Sequence, residues 1–248
     1  MSKWIAFLLA SCALAQDPRQ IIEEVQRRNR SQSQRYEGTL TVTSAKSRVA
    51  EKKWRYERIG SFGDSKAVLR FLDPPEVKGV ALLIHNHRDR SSDQWMWTPE
   101  LQRDRRIALQ DRSTRFFGTD FSFEDLEERD VDQFDFKLLG EEKFDGQLCW
   151  KLESRPRQNK RSQYTHSYLW VRKDLFVFLA VEGYKDKELM RRIAYRDYEN
   201  VKGLWTAKTM EVFDTKRNSR TTMKLEKLEY NIPVKEDEFT LQALRRPQ

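Results

Sequence analysis

Asp73-Pro74-Pro75-Glu76-Val77-Lys78-Gly79 leads into the apolar run Val80-Ala81-Leu82-Leu83-Ile84, and two more blocks follow before Leu126. The second is Trp95-Met96-Trp97-Thr98-Pro99, trailed by Arg103, Arg105, Arg106 and Ile107. The third is Gly118-Thr119-Asp120-Phe121-Ser122-Phe123-Glu124-Asp125-Leu126. No block holds a nucleophile with its base or a metal-ligand cluster. Pro74-Pro75 ends one strand and stiffens the turn to the next, and Gly79 and Gly118 serve backbone geometry. What remains reads as pieces of a β-sheet that admits something apolar behind a polar rim, which points towards carrying and away from catalysis.

Outward from these blocks the chain is strand after strand. Tyr36, Gly38, Leu40 and Val42 alternate with Glu37, Thr39, Thr41 and Thr43, the pattern of a half-buried strand. Trp54 and Tyr56, then Ala67, Leu69 and Phe71, continue the style, with Arg70 on the opposite face. In the second half Phe134, Phe136 and Leu138 share a face, Asp145-Gly146 is a strong hairpin turn, and Leu148, Trp150 and Leu152 return. Tyr164 to Trp170, Phe176 to Val181, Ile193 with Tyr195, Leu204 to Phe213 and Met223 to Tyr230 complete the set. Turns fall at Lys173-Asp174 and Lys202-Gly203, and a bulge is expected near Glu226-Lys227. About ten or eleven strands joined by short turns make an antiparallel sheet.

Helices are few. Asp17 can cap one, Pro18 suits its first turn, Glu23-Glu24 follow, and Ile21, Ile22 and Val25 form its apolar stripe. Arg103 to Arg129 lacks alternation and mixes acids with arginines; Ser122 and Asp125 suggest a capped short helix from about Phe123 to Arg129. A strongly curved sheet of this size must close, pair or be plugged. The expected fold is mainly β: a single unclosed antiparallel half-barrel whose concave face is covered by the first helix and the middle segment.

The N-terminus points to export. Lys3 is followed by an apolar stretch from Trp4 to Leu14, about 11 residues, too short to span a bilayer. Ala13-Leu14-Ala15 fits signal-peptidase cleavage with Gln16 as the first mature residue. Leu9-Ala10-Ser11-Cys12 also resembles a lipobox, which would tether the protein through a lipidated Cys12. Residues 1–15 are thus a signal peptide and 16–248 one domain, placed in a bacterial periplasm. With Cys12 removed or lipidated, Cys149 has no internal disulfide partner. The 248 residues are 38% hydrophobic and 35% charged, enough for a core under a well-solvated surface, and 12% aromatic, which suits both strands and an apolar wall. The net charge of +8 fits attraction to an anionic membrane surface; export argues against nucleic acid as the partner.

Taken in order, Asp73-Pro74-Pro75 with Lys78-Gly79, Trp97-x-Pro99 with Arg105-Arg106-Ile107, and Gly118 to Ser122 with Glu124-Asp125-Leu126 resemble the LolA-like outer-membrane lipoprotein-sorting family. The resemblance covers roughly Ile21 to the C-terminus. It implies an unclosed antiparallel barrel with helices over its open side. It also implies transfer of lipid or acylated lipoprotein cargo between envelope layers without a chemical reaction, beside an inner-membrane transporter of the RND type.

Candidate cavity residues are Trp54, Tyr56, Leu69, Phe71, Leu82, Ile84, Trp95, Trp97, Phe136, Trp150, Trp170 and Met210; the competing reading for each is packed core. Arg103, Arg105 and Arg106 are candidates for a phosphate headgroup or a partner protein, against salt bridging to Asp120, Glu124 and Asp125. His85 and His87 share a strand side but, with His166 alone besides them, form no clear metal cluster. No Gly-x-Ser-x-Gly, phosphate loop or His-Glu-x-x-His occurs, so neither an enzyme nor a cofactor is expected. The alternative reading is an envelope sensor or adaptor that binds a membrane protein instead of lipid.

Overall fold

The computed structural model describes residues 16–246; the expected signal peptide over residues 1–15 and the expected lipidation at Cys12 lie outside the described residues. The first helix, α1 (Pro18–Arg28), starts where expected, because the Asp17 carboxylate accepts a hydrogen bond from the Arg19 backbone N–H at 2.9 Å. Glu23 and Glu24 fall beyond the first turn. There they pair with Arg19 at 2.9 Å and with Arg27 and Arg28 at 2.6 Å.

Among the described residues thirteen strands follow, not ten or eleven. The first five are β1 (Ser33–Thr43), β2 (Val49–Ile59), β3 (Ser65–Asp73), β4 (Ala81–Asn86) and β5 (Asp93–Thr98). The short β6 (Arg103–Arg106) lies in the stretch whose sequence lacks alternation. After it come β7 (Phe134–Phe144), β8 (Gln147–Pro156), β9 (His166–Arg172) and β10 (Val177–Lys185), then β11 (Glu188–Val201), β12 (Leu204–Asp214) and β13 (Ser219–Tyr230). All pair antiparallel in one sheet ordered β6-β5-β4-β3-β2-β1-β13-β12-β11-β10-β9-β8-β7. β6 and β7 are its free edges, so the sheet is an unclosed half-barrel. Asp145-Gly146 and Lys202-Gly203 make their turns with positive φ at both residues, and the β13 bulge falls opposite Arg35 and Glu37, with Lys227 at φ 45°.

Two apolar clusters fill the concave face. Leu40, Trp54, Leu69, Phe71, Leu82 and Ile84 build one, on which Phe116, Phe121 and Phe123 of the segment between β6 and β7 pack. Trp150, Leu152, Leu169, Val171 and Val181 build the other, beneath Ile21, Ile22 and Val25 of α1. The expected helix from Phe123 to Arg129 is corrected by the structure to a single 3-10 turn, Glu124–Leu126. Ser122 and Asp125 cap each other as expected (Asp125 N–H to Ser122 Oγ, 3.2 Å; Ser122 N–H to Asp125 Oδ2, 2.8 Å). Beyond that turn Glu127 and Glu128 are drawn to separate partners, which a continuing helix would not reach.

The continuous apolar run of β4 has its reason in a second cover. Leu82 and Ile84 face the concave core while Ala81 and Leu83 face outward, where Phe239 and Leu244 of the C-terminal helix α2 (Leu241–Leu244) and its approach bury them. Arg70 pins this cover by donating to the Leu244 carbonyl at 2.8 Å. Phe239→Ala removes the ring at the centre of this cluster and is expected to cost about 3–5 kcal/mol in urea unfolding. A loss below about 1 kcal/mol would mean that the cover does not pack as described.

Candidate functional site

The two concave covers touch where Gln26 of α1 donates to the Arg129 carbonyl at 2.8 Å. Between α1 and the segment 107–129 lie two cavities, of about 270 and 370 Å³, that share Val25, Phe62, Ile193 and Tyr195 as common wall. The smaller runs under α1 against Phe136, Leu169, Phe178 and Val181; the larger runs over Tyr36, Trp54, Tyr56, Leu69 and Met210. Their sizes and apolar walls match the low end of small-molecule sites. Tyr36 and Tyr56 stack at 4.9 Å, so the floor of the larger cavity is aromatic. Burial pushes the Tyr195 phenol up to about 12, keeping it a neutral donor at this wall.

Of the sequence candidates, Trp54, Tyr56, Leu69, Ile84, Met210 and Phe136 line these cavities. Phe71, Leu82 and Trp150 sit in the concave core beneath them. Trp95 and Trp97 face the other way, packing on the convex side with the C-terminal cover. Trp170 is also convex, beside Phe144 and Cys149, with its indole N–H on Glu142 at 2.6 Å. Both strands alternate as expected, but the inward face of β5 is the Gln94–Met96 face and that of β9 the Leu169–Val171 face.

The arginine trio lies on edge strand β6, exposed, and its carboxylate partners are not those expected. Arg106 pairs with Asp93 at 2.5 Å and Arg105 with Asp111 at 3.5 Å. Asp120 is instead fully buried, accepting from Arg115, Ser219 and Thr221, while Glu124 accepts from Ser162 and the Gln163 N–H. Asp125 accepts from Tyr164 at 2.7 Å and faces Arg191 at 3.6 Å. His85 is engaged with the Phe239 carbonyl and His87 with Asp93, and among the described residues no group of three potential ligands could hold a metal.

The polar end of the smaller cavity was not legible as a site. Glu127, 4% exposed, lies between Arg112 (2.6 Å) and Lys160; Glu128 takes Arg58 at 3.1 Å and the Phe62 N–H at 3.0 Å. The even mixture of acids and arginines in this segment was the only trace, and solvated loops look the same. Glu127→Gln would leave two buried cations on one neutral group and is expected to cost about 3–5 kcal/mol by chemical denaturation. A cost near zero would show that water reaches this cluster. Cys149 is buried in β8, and burial pushes its thiol up to about 11. It should stay unlabelled by a thiol reagent at pH 8 until the protein is unfolded; rapid labelling of the native protein would contradict its burial.

A family model described as "Uncharacterized protein" matches residues 63–246. No curated protein matches the chain significantly. Among solved structures, an outer membrane lipoprotein-sorting protein domain from Vibrio parahaemolyticus is 26% identical, with a TM-score of 0.87 over 92% of this chain and 98% of that one. A DUF1329 family protein from Desulfovibrio piger is 27% identical, with a TM-score of 0.88 over 92% and 100%. A LolA superfamily protein from Nitrosomonas europaea shares the fold at 18% identity, with a TM-score of 0.73 over 92% and 100%.

Proposed function

We propose that this chain, which belongs to the family whose model spans residues 63–246 and has the fold of the LolA superfamily and of lipoprotein-sorting domains, carries lipid or the acyl chains of lipoproteins. The observation that carries this reading is the pair of adjoining apolar cavities under α1 and the 107–129 segment. Buried methylenes contribute about 0.8 kcal/mol each, so a short apolar groove holds an acyl chain tightly enough to transport and loosely enough to release. No bond need be made or broken, and the reading assigns the site residues no catalytic role.

The finer parts of the proposal rest on the family resemblance and the sequence. They are one carrier domain over residues 16–248, export to the periplasm, and transfer between envelope layers beside an inner-membrane RND-type transporter. Arg103, Arg105 and Arg106, exposed on the β6 edge, suit contact with that transporter or with an anionic membrane surface.

Native mass spectrometry of the protein purified from a bacterial periplasm, before and after organic extraction, tests the reading. Adducts of lipid mass that vanish on extraction are expected. A clean protein mass with no uptake of added phospholipid or acylated peptide would overturn it and leave a protein-binding adaptor as the better account. Ile193→Trp, which fills the wall common to both cavities, should lower adduct occupancy at least tenfold with little change in folding; unchanged occupancy would place the lipid elsewhere.

A further inference from the structure

One cation of the site lacks the partner its neighbours have. Arg112 and Lys160 share Glu127, Arg58 has Glu128, and Arg191 faces Asp125 and Asp214. Arg129 lines the smaller cavity with no carboxylate within ion-pair distance among the described residues. Its one side-chain hydrogen bond is to Ser154 Oγ at 3.2 Å, and its guanidinium lies 4.4 Å from the centre of the Phe134 ring. Its position is fixed from behind, since Gln26 of α1 donates to the Arg129 carbonyl at 2.8 Å. Glu124 and Asp125 are the acids that act on it electrostatically, but both carboxylates are already engaged by Ser162, Gln163, Ser122 and Tyr164. Burial disfavours the charged form of Arg129, yet a guanidinium does not give up its proton, so the charge stays with most of its five donors unused. Arg129 is half-buried, and it lines the cavity with that charge unmatched by a carboxylate.

We propose that Arg129 is the headgroup site of the smaller cavity, which takes a single-chain amphiphile with an acidic head, a carboxylate or a phosphate. The head would sit on the guanidinium fork, whose planar donors match a two-oxygen acid. The tail would lie along Phe136, Leu169, Phe178, Val181 and Ile193. This inference rests on the carrier reading and refines it.

The test compares palmitate, lysophosphatidate and the neutral monopalmitoylglycerol on the full-length protein and on Arg129→Gln, by calorimetry below their critical micelle concentrations. Wild type should bind both acidic probes at least tenfold more tightly than the neutral one, and the variant should lose that preference while keeping its affinity for monopalmitoylglycerol. Whichever acidic probe loses more on substitution identifies the head, carboxylate or phosphate, for which the site is built. Equal binding of all three to wild type would overturn the headgroup assignment and leave the carrier reading intact. Binding of none would also overturn the headgroup assignment, and the native mass spectra would decide the carrier reading separately. Should Arg129→Gln fail to fold, the wild-type preference decides alone, supported by Arg129→Lys, which keeps the charge but not the fork and should retain part of the preference.

Discussion

An antiparallel sheet that curves without closing leaves its concave face to be covered by something else, and the rest of this structure follows from that constraint. Both halves of the concave face are apolar, from Leu40 and Phe71 on one side to Leu152 and Val181 on the other. With β6 and β7 as free edges, no strand among the described residues shuts the barrel. The chain uses two unrelated covers instead. α1 lays Ile21, Ile22 and Val25 over one half, and the segment between β6 and β7 lays Phe116, Phe121 and Phe123 over the other. The cavities are the seam between these covers, which meet where Gln26 of α1 donates to the Arg129 carbonyl and Arg19 pairs with Asp132.

The two covers are fastened by different physics. α1 adheres mainly by apolar contact, which is roughly proportional to area, with Gln26 and Arg19 adding polar ties to the Arg129 carbonyl and to Asp132. The other cover is tied at its rim by Arg112–Glu127–Lys160, Arg58–Glu128 and the Asp120 hydrogen bonds to Ser219 and Thr221 of β13. Buried ion pairs add little net stability against apolar replacements, but a broken one is costly. They therefore fix where the cover sits, and with it the shape of the wall it presents to the cavity.

Much of this was legible in the sequence, because period-two alternation survives wherever one sheet face is wet. It identified each long strand, the turns at Asp145-Gly146 and Lys202-Gly203, and the bulge at Lys227. It could not say which face looked inward, since both faces of this sheet carry aromatic residues. Trp95, Trp97 and Trp170 looked like cavity wall and belong to the convex side, covered by Phe239 and Leu244 or packed on Phe144. β6 escaped notice because a four-residue strand reading Arg-Asp-Arg-Arg has no apolar face to alternate. Arg129 and its acidic neighbours escaped for a related cause: the composition of a buried ionic cluster is that of a solvated loop, and only the third dimension separates them.

The free edges carry a further consequence. A sheet open at both ends displays unpaired backbone groups that a second copy could extend into a fibre. β6 is four residues long with three exposed arginines, charged side chains that a strand added to this edge would have to desolvate. β7 is longer, but its pairing slips between Leu138 and Gly140, and Lys137, Glu141, Glu142 and Lys143 stand along its outer half. Kinked and charged, neither edge offers a flat template for strand addition. The openness of the sheet is thereby kept from becoming an invitation to polymerise.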